Sequence, residues 1–131
     1  MFDSILKYFR KEKPEFNALK QFAFKDKYFY RTANWSWLNK KEIYVRDPFG
    51  PRFITMDDWL QIIFLDAKGK ITVTEYVDYL ASCYTSKIPS ALDETVIEEL
   101  TKLVELKIVE YSDSEITLDK SILEPTLYNK E

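Results

Sequence analysis

The sequence predicts an α+β protein: an N-terminal helical segment, an aromatic β-hairpin, a core of three helices and a C-terminal β-hairpin. Three observations carry that prediction. Apolar residues fall at helical spacing in the first 26 residues, alternate at strand spacing over 27–46, and return to helical spacing after residue 55. Helix-start residues precede the later helical runs, and Thr72-Val73-Thr74-Glu75 is a capping box in its standard spacing. With 46% hydrophobic and 31% charged residues, the chain has too many apolar side chains for a disordered class and too few for a membrane-embedded one.

Each element has its own signal. Phe2, Ile5, Leu6 and Phe9 make one stripe of a short helix that Pro14 ends. Phe16, Leu19, Phe22 and Ala23 suggest a second helical stretch. Tyr28-Phe29-Tyr30, then Trp35 and Trp37, then Ile43-Tyr44-Val45 read as hairpin strands turning at Asn39-Lys40-Lys41. Asp47-Pro48-Phe49-Gly50-Pro51 is a turn cluster. Thr55 is placed to cap the next helix, whose Trp59, Leu60, Ile62, Ile63 and Phe64 predict a central, buried element stopping at Gly69. Lys70-Ile71 reads as a short strand. The capping box then opens a helix with Val73, Tyr76, Val77, Leu80 and Tyr84 on one face. Asp93 is expected to cap the last long helix, with Val96, Ile97, Leu100, Leu103 and Val104 as its core stripe. Ile108–Tyr111 and Ile116–Leu118, joined by Ser112–Glu115, read as the closing hairpin. Residues 1–26 are thus an extension, and 27–131 one compact unit.

Helix, short strand, helix, helix, strand, turn, strand is the order of a winged helix. Such a scaffold reads DNA through its third helix, and charge argues against that use here. Residues 93–107 carry five acids against Lys102 and Lys107, while groove entry needs a basic surface to neutralise phosphates. Double-stranded DNA is therefore not the expected partner.

Residues 42–111 also resemble a known family. Tyr44-Val45-Arg46-Asp47-Pro48, Ile54-Thr55-Met56, Trp59, Ile62, Leu65-Asp66, Gly69, Thr72-Val73-Thr74-Glu75, Leu80 and Leu103–Val109 look like the small peptide-chaperone domain of pyrroloquinoline-quinone biosynthesis and its relatives. The resemblance implies a hairpin-plus-winged-helix module that holds a peptide for a modifying enzyme. This chain departs from the pattern at Leu106-Lys107, where the family has Gly-Leu, and at Asp66-Ala67-Lys68-Gly69, where it has Asp-Gly. The first 40 residues have no counterpart.

Composition excludes much catalytic chemistry. The chain has no His, one Cys and two Gly. It therefore lacks an imidazole base or ligand, an internal disulfide and a Gly-rich phosphate cradle. Adjacent pairs such as Asp57-Asp58 and Glu98-Glu99 diverge on a helix and make poor acid–base partners. No enzymatic activity, cofactor or metal is expected. The N-terminus shows no secretory pattern and no run is long and apolar enough to span a membrane, so a reduced cytoplasmic setting is expected, with Cys83 as a small buried hydrophobe.

Binding is the remaining class. All four arginines and 16 of the 21 aromatics lie in residues 1–66, which carry net +3 against −6 for residues 67–131. Tyr28, Tyr30, Arg31, Trp35, Trp37, Lys40, Lys41 and Arg46 are the candidate site. Their surface is expected to bind a protein or peptide, with an extended segment added as a strand. Single-stranded nucleic acid is the alternative, since cations interleaved with rings can hold phosphates and stack bases. The charge asymmetry also allows a second copy of the chain as partner.

Overall fold

A computed structural model describes residues 13–126. The expected helix bearing Phe2, Ile5, Leu6 and Phe9 lies outside the described residues. Among the described residues the elements run α1 (Asn17–Gln21), β1 (Tyr28–Arg31), β2 (Trp35–Trp37), β3 (Ile43–Arg46), β4 (Phe53–Thr55), α2 (Asp58–Asp66), β5 (Lys68–Thr72), α3 (Val73–Ser82), α4 (Leu92–Glu105), β6 (Val109–Ser112) and α5 (Lys120–Leu123). The fold is α+β, with two three-stranded antiparallel sheets ordered β5-β1-β6 and β2-β3-β4.

The helical stripes do what their spacing requires. Leu92, Val96, Leu100 and Leu103 of α4 are buried, and α4 packs on α1, α2 and α3. Val73, Tyr76, Val77 and Ala81 of α3 are buried as well. At the start of α3, Thr72 Oγ1 accepts from Glu75 N at 3.2 Å, and Glu75 Oε1 accepts from Thr72 N at 2.8 Å. The capping box forms as its spacing predicts. α4 ends in a Schellman motif, with Lys107 N donating to Val104 O and Ile108 N to Leu103 O, and Lys107 adopts φ 64°.

Several local expectations change. The cap of α2 is Asp57, whose carboxylate accepts from Leu60 N, rather than Thr55, which belongs to β4. In α2 only Ile63 and Phe64 are buried, because one side faces solvent and leaves Ile62 exposed. Asp93 does not cap its own helix. It sits inside the first turn of α4, buried, and its Oδ2 accepts from Leu19 N at 3.0 Å. Its carboxylate therefore serves α1, whose N-terminus lacks a side-chain cap of its own. Cys83 is exposed, since it follows the last buried turn of α3 and lies off the stripe.

The two expected hairpins are rearranged. Tyr28–Arg31 does not pair with the aromatic strands that follow it. It becomes the central strand of the other sheet, in register Tyr28↔Ser112 to Arg31↔Val109 with β6. Because β1 occupies that edge of β6, the expected closing hairpin of 108–118 does not form. Residues 116–118 instead lie beside β5, where Ile116 N donates to Gly69 O at 2.9 Å and Lys70 Nζ to Thr117 Oγ1 at 2.9 Å. The local hairpin that does form is β2–β3, in register Trp35↔Val45, Ser36↔Tyr44 and Trp37↔Ile43.

Candidate binding face

The β2-β3-β4 meander has one face in the core and one in solvent, as strand alternation demands. Ile43 and Val45 point inward, with Ile54 packed beside them. Tyr44 and Arg46 therefore point outward, flanked by Ser36 and Asn34 from the β2 side and by Phe53 and Thr55 from β4. The Tyr44 and Phe53 rings meet edge to face at 5.0 Å. Phe53 is 59% exposed although it is a large aromatic in a strand.

A groove of about 320 Å³ crosses this outer face. Tyr44, Arg46, Pro51, Arg52, Phe53 and Thr126 are among the residues that line it. Thr126 is fixed there by main chain: its N–H donates to Trp35 O at 2.7 Å, and its carbonyl accepts from Ser36 Oγ at 2.8 Å. A second recess of about 310 Å³ adjoins the groove and shares Arg46 with it.

The loop from β3 to β4 is organised by Asp47. Its Oδ1 accepts from Phe49 N at 2.9 Å and its Oδ2 from Arg52 Nε at 2.6 Å. The Arg52 hydrogen bond, with the Phe49 amide behind it, holds the Asp47 carboxyl below its ordinary pKa of 3.8. A carboxyl depressed on folding contributes stability that is complete above its unfolded pKa and lost as pH falls through its folded one. Acidification below roughly pH 4 should therefore loosen this loop first. The check is amide hydrogen exchange at Phe49 and Gly50. Protection factors there, corrected for the intrinsic pH dependence of exchange, should fall on acidification in wild type, and Asp47→Ala should show the lowered protection already at neutral pH; equal protection in both proteins would refute the role given to Asp47.

The predicted site residues separate into three groups. Arg31 and Trp35 turn inward and are spent on the fold. Arg31 is 2% exposed and donates to the carbonyls of Leu65 (2.7 Å), Leu123 (2.8 Å), Ile122 (3.0 Å) and Phe64 (3.4 Å). Trp35 Nε1 donates to Ile122 O as well. Tyr28 and Tyr30 lie on β1 in the other sheet, where Tyr30 Oη donates to Glu110 Oε1 at 3.1 Å. Burial and that bond raise the Tyr30 pKa. Trp37, Lys40, Lys41 and Arg46 stay exposed on the hairpin. Lys40 and Lys41 sit at the β2–β3 turn, the opposite end of β3 from Arg46.

The eight residues therefore do not form one surface. Phe53, Arg52 and Ser36 were not among them, yet they line the groove. The available signal is an aromatic residue two positions after the Pro48-Phe49-Gly50-Pro51 turn, where a half-exposed edge strand begins.

Comparison with known proteins leaves the geometry to speak for itself: no family model matches the chain, and no curated protein or solved structure does. Among the described residues, no helix is long and apolar enough to cross a membrane.

Proposed function

We propose that this protein is a non-catalytic binding module that takes an extended segment of a partner protein as an added strand on β4. The observation that carries this reading is the open edge of β4 beside the groove. Asp47 N donates to Arg52 O, so residue 52 turns its main-chain groups toward β3, and by alternation residue 54 does too. The N–H and C=O groups of Phe53 and Thr55 then face outward, and among the described residues β4 has no second neighbouring strand. An added strand would satisfy them and send alternate side chains over Phe53 into the groove. β6 is also an edge, but the groove adjoins β4. The likeness of residues 42–111 to peptide-holding winged-helix-like modules points the same way, and the scaffold is proposed to be of that kind.

The alternative of single-stranded nucleic acid has lost support among its named residues. Arg31 and Trp35 are buried, and Lys40 and Lys41 stand at the far end of β3 from Arg46. A phosphate track needs a continuous line of free cations.

Strand addition predicts a specific mutational pattern. Thr55→Pro removes an outward N–H on an edge strand, where proline is tolerated, so the protein should fold and lose peptide binding. Phe53→Ala should weaken binding roughly ten-fold by removing an exposed apolar anchor. Fluorescence anisotropy with labelled strand-forming peptides measures both. Retained affinity in Thr55→Pro, with an unchanged circular dichroism spectrum, would exclude pairing along β4.

A further inference from the structure

We infer that the partner segment carries an acidic side chain, and that Arg46, assisted by Arg52, selects it. This inference rests on the strand-addition reading and assigns that site its specificity.

The groove is charged with one sign. Arg46 and Arg52 line it, and none of its described lining residues is acidic, in a chain whose overall charge is −3. The two arginines differ in state. Arg52 is already committed through Nε to Asp47, which leaves both of its terminal NH₂ groups facing out and fixes their direction. Arg46 makes no side-chain hydrogen bond or ion pair among the described residues and is exposed. The neighbouring carboxylate, Asp47, is engaged by Phe49 N and Arg52 Nε, so each of its oxygens already accepts a hydrogen bond. Among the described residues, then, the Arg46 guanidinium lines the groove with no anion partner, and the exposed Phe53 ring lies across from it.

Register says where that anion must come from. Arg46 lies directly across from Phe53 on β4. A strand added outside β4 would be two strand steps from β3, about 10 Å at the usual interstrand spacing. A Glu or Asp side chain over Phe53 and the arginine side chain together span that gap, with the Phe53 ring packed beneath the pair. Arg46 and Phe53 are exposed in the free protein, so it is the added strand that covers the pair, and a covered charge-assisted pair outweighs an exposed one. Arginine's planar fork also suits a carboxylate in two-point contact.

The experiment uses the full chain and labelled peptides of one strand-forming sequence whose central outward residue is Glu, Gln or Lys, alongside an oligothymidylate. Wild type should bind the Glu peptide about ten-fold more tightly than the Gln peptide, the size expected of one charge-assisted pair. The Lys peptide should be weakest. Arg46→Gln should erase the Glu–Gln difference, read as the ratio of the two affinities measured on the variant itself. If all three peptides bind wild type equally and Thr55→Pro abolishes binding, strand addition stands and the acidic selectivity is overturned. If no peptide binds, both readings fall together. Binding of the oligothymidylate that depends on Arg46, without peptide binding, would replace the peptide with nucleic acid as the partner.

Discussion

Arg31→Met should cost about 3–5 kcal/mol, because it takes the donor from several main-chain carbonyls at once and an unsatisfied buried acceptor costs about 1–3 kcal/mol. The guanidinium sits where two helices end. Phe64 and Leu65 are at the C-terminus of α2, and Ile122 and Leu123 at that of α5; their carbonyls are the groups that a helix end leaves without partners. Their dipoles favour a cation, so Arg31 joins α2 to α5 through four acceptors while stacking near the rings of Trp35 (5.6 Å) and Phe64 (5.8 Å). Burial pulls its pKa down to about 10, and the Asp66 carboxylate opposes that shift, so the group is charged at neutral pH. Methionine matches the stem but donates nothing, and the carbonyls cannot be mutated away in compensation. The loss should appear as a fall in unfolding midpoint on the order of 10 °C. Arg31→Lys keeps the charge without the fork and should fall between the two. Thermal unfolding followed by far-ultraviolet circular dichroism measures the series. A midpoint for Arg31→Met close to wild type would mean that the network contributes little. The same variant should loosen residues 120–126, and with them the Thr126 lining of the groove.

Arg31 also shows what a sequence hides. Set among Tyr28, Tyr30, Trp35 and Trp37, it has the pattern of an exposed cation beside stacking rings. Its partners are main-chain carbonyls, which have no signature in a sequence, so nothing in the chain distinguishes it from Arg46. Alternation places the two correctly on opposite faces only once the pairing is known: Arg31 shares the inward face of β1 with Phe29, and Arg46 the outward face of β3 with Tyr44. Local signals were legible for the same reason that partners were not. The capping box of α3 and the stripe of α4 involve residues a few positions apart, and they form as their spacing requires. The pairing of β1 with β5 and β6 joins residues about 40 and 80 positions apart, and period-2 patterning fixes a strand's faces without naming its neighbour. Asp93 makes the same point. As a helix-start acid it was visible, but its acceptor role belongs to Leu19 N, 74 residues away.

The second large effect is expected at Gly69, where Gly69→Ala should cost about 2 kcal/mol or more. Two independent reasons converge on the position. Its φ of +78° lies in the left-handed region that a Cβ disfavours. A Cβ built there would also stand 2.7 Å from Ile116 Cβ and 2.9 Å from the Ile116 carbonyl oxygen, well inside van der Waals contact. The closeness follows from the topology. Between Tyr28↔Thr72 and Tyr30↔Lys68, β5 advances four residues while β1 advances two, so β5 bulges around Gly69. The bulge turns the Gly69 carbonyl toward Ile116 N, and that bond holds the segment after β6 against the sheet where a paired closing strand was expected. Alanine must therefore either push Ile116 away, breaking the bond, or distort the bulge. The two outcomes are distinguishable by hydrogen exchange. Loss of protection confined to Ile116 would show that the segment yields, and loss spread over Lys68–Thr72 would show that the strand does. An alanine variant as stable as wild type, with Ile116 still protected, would contradict the close approach itself.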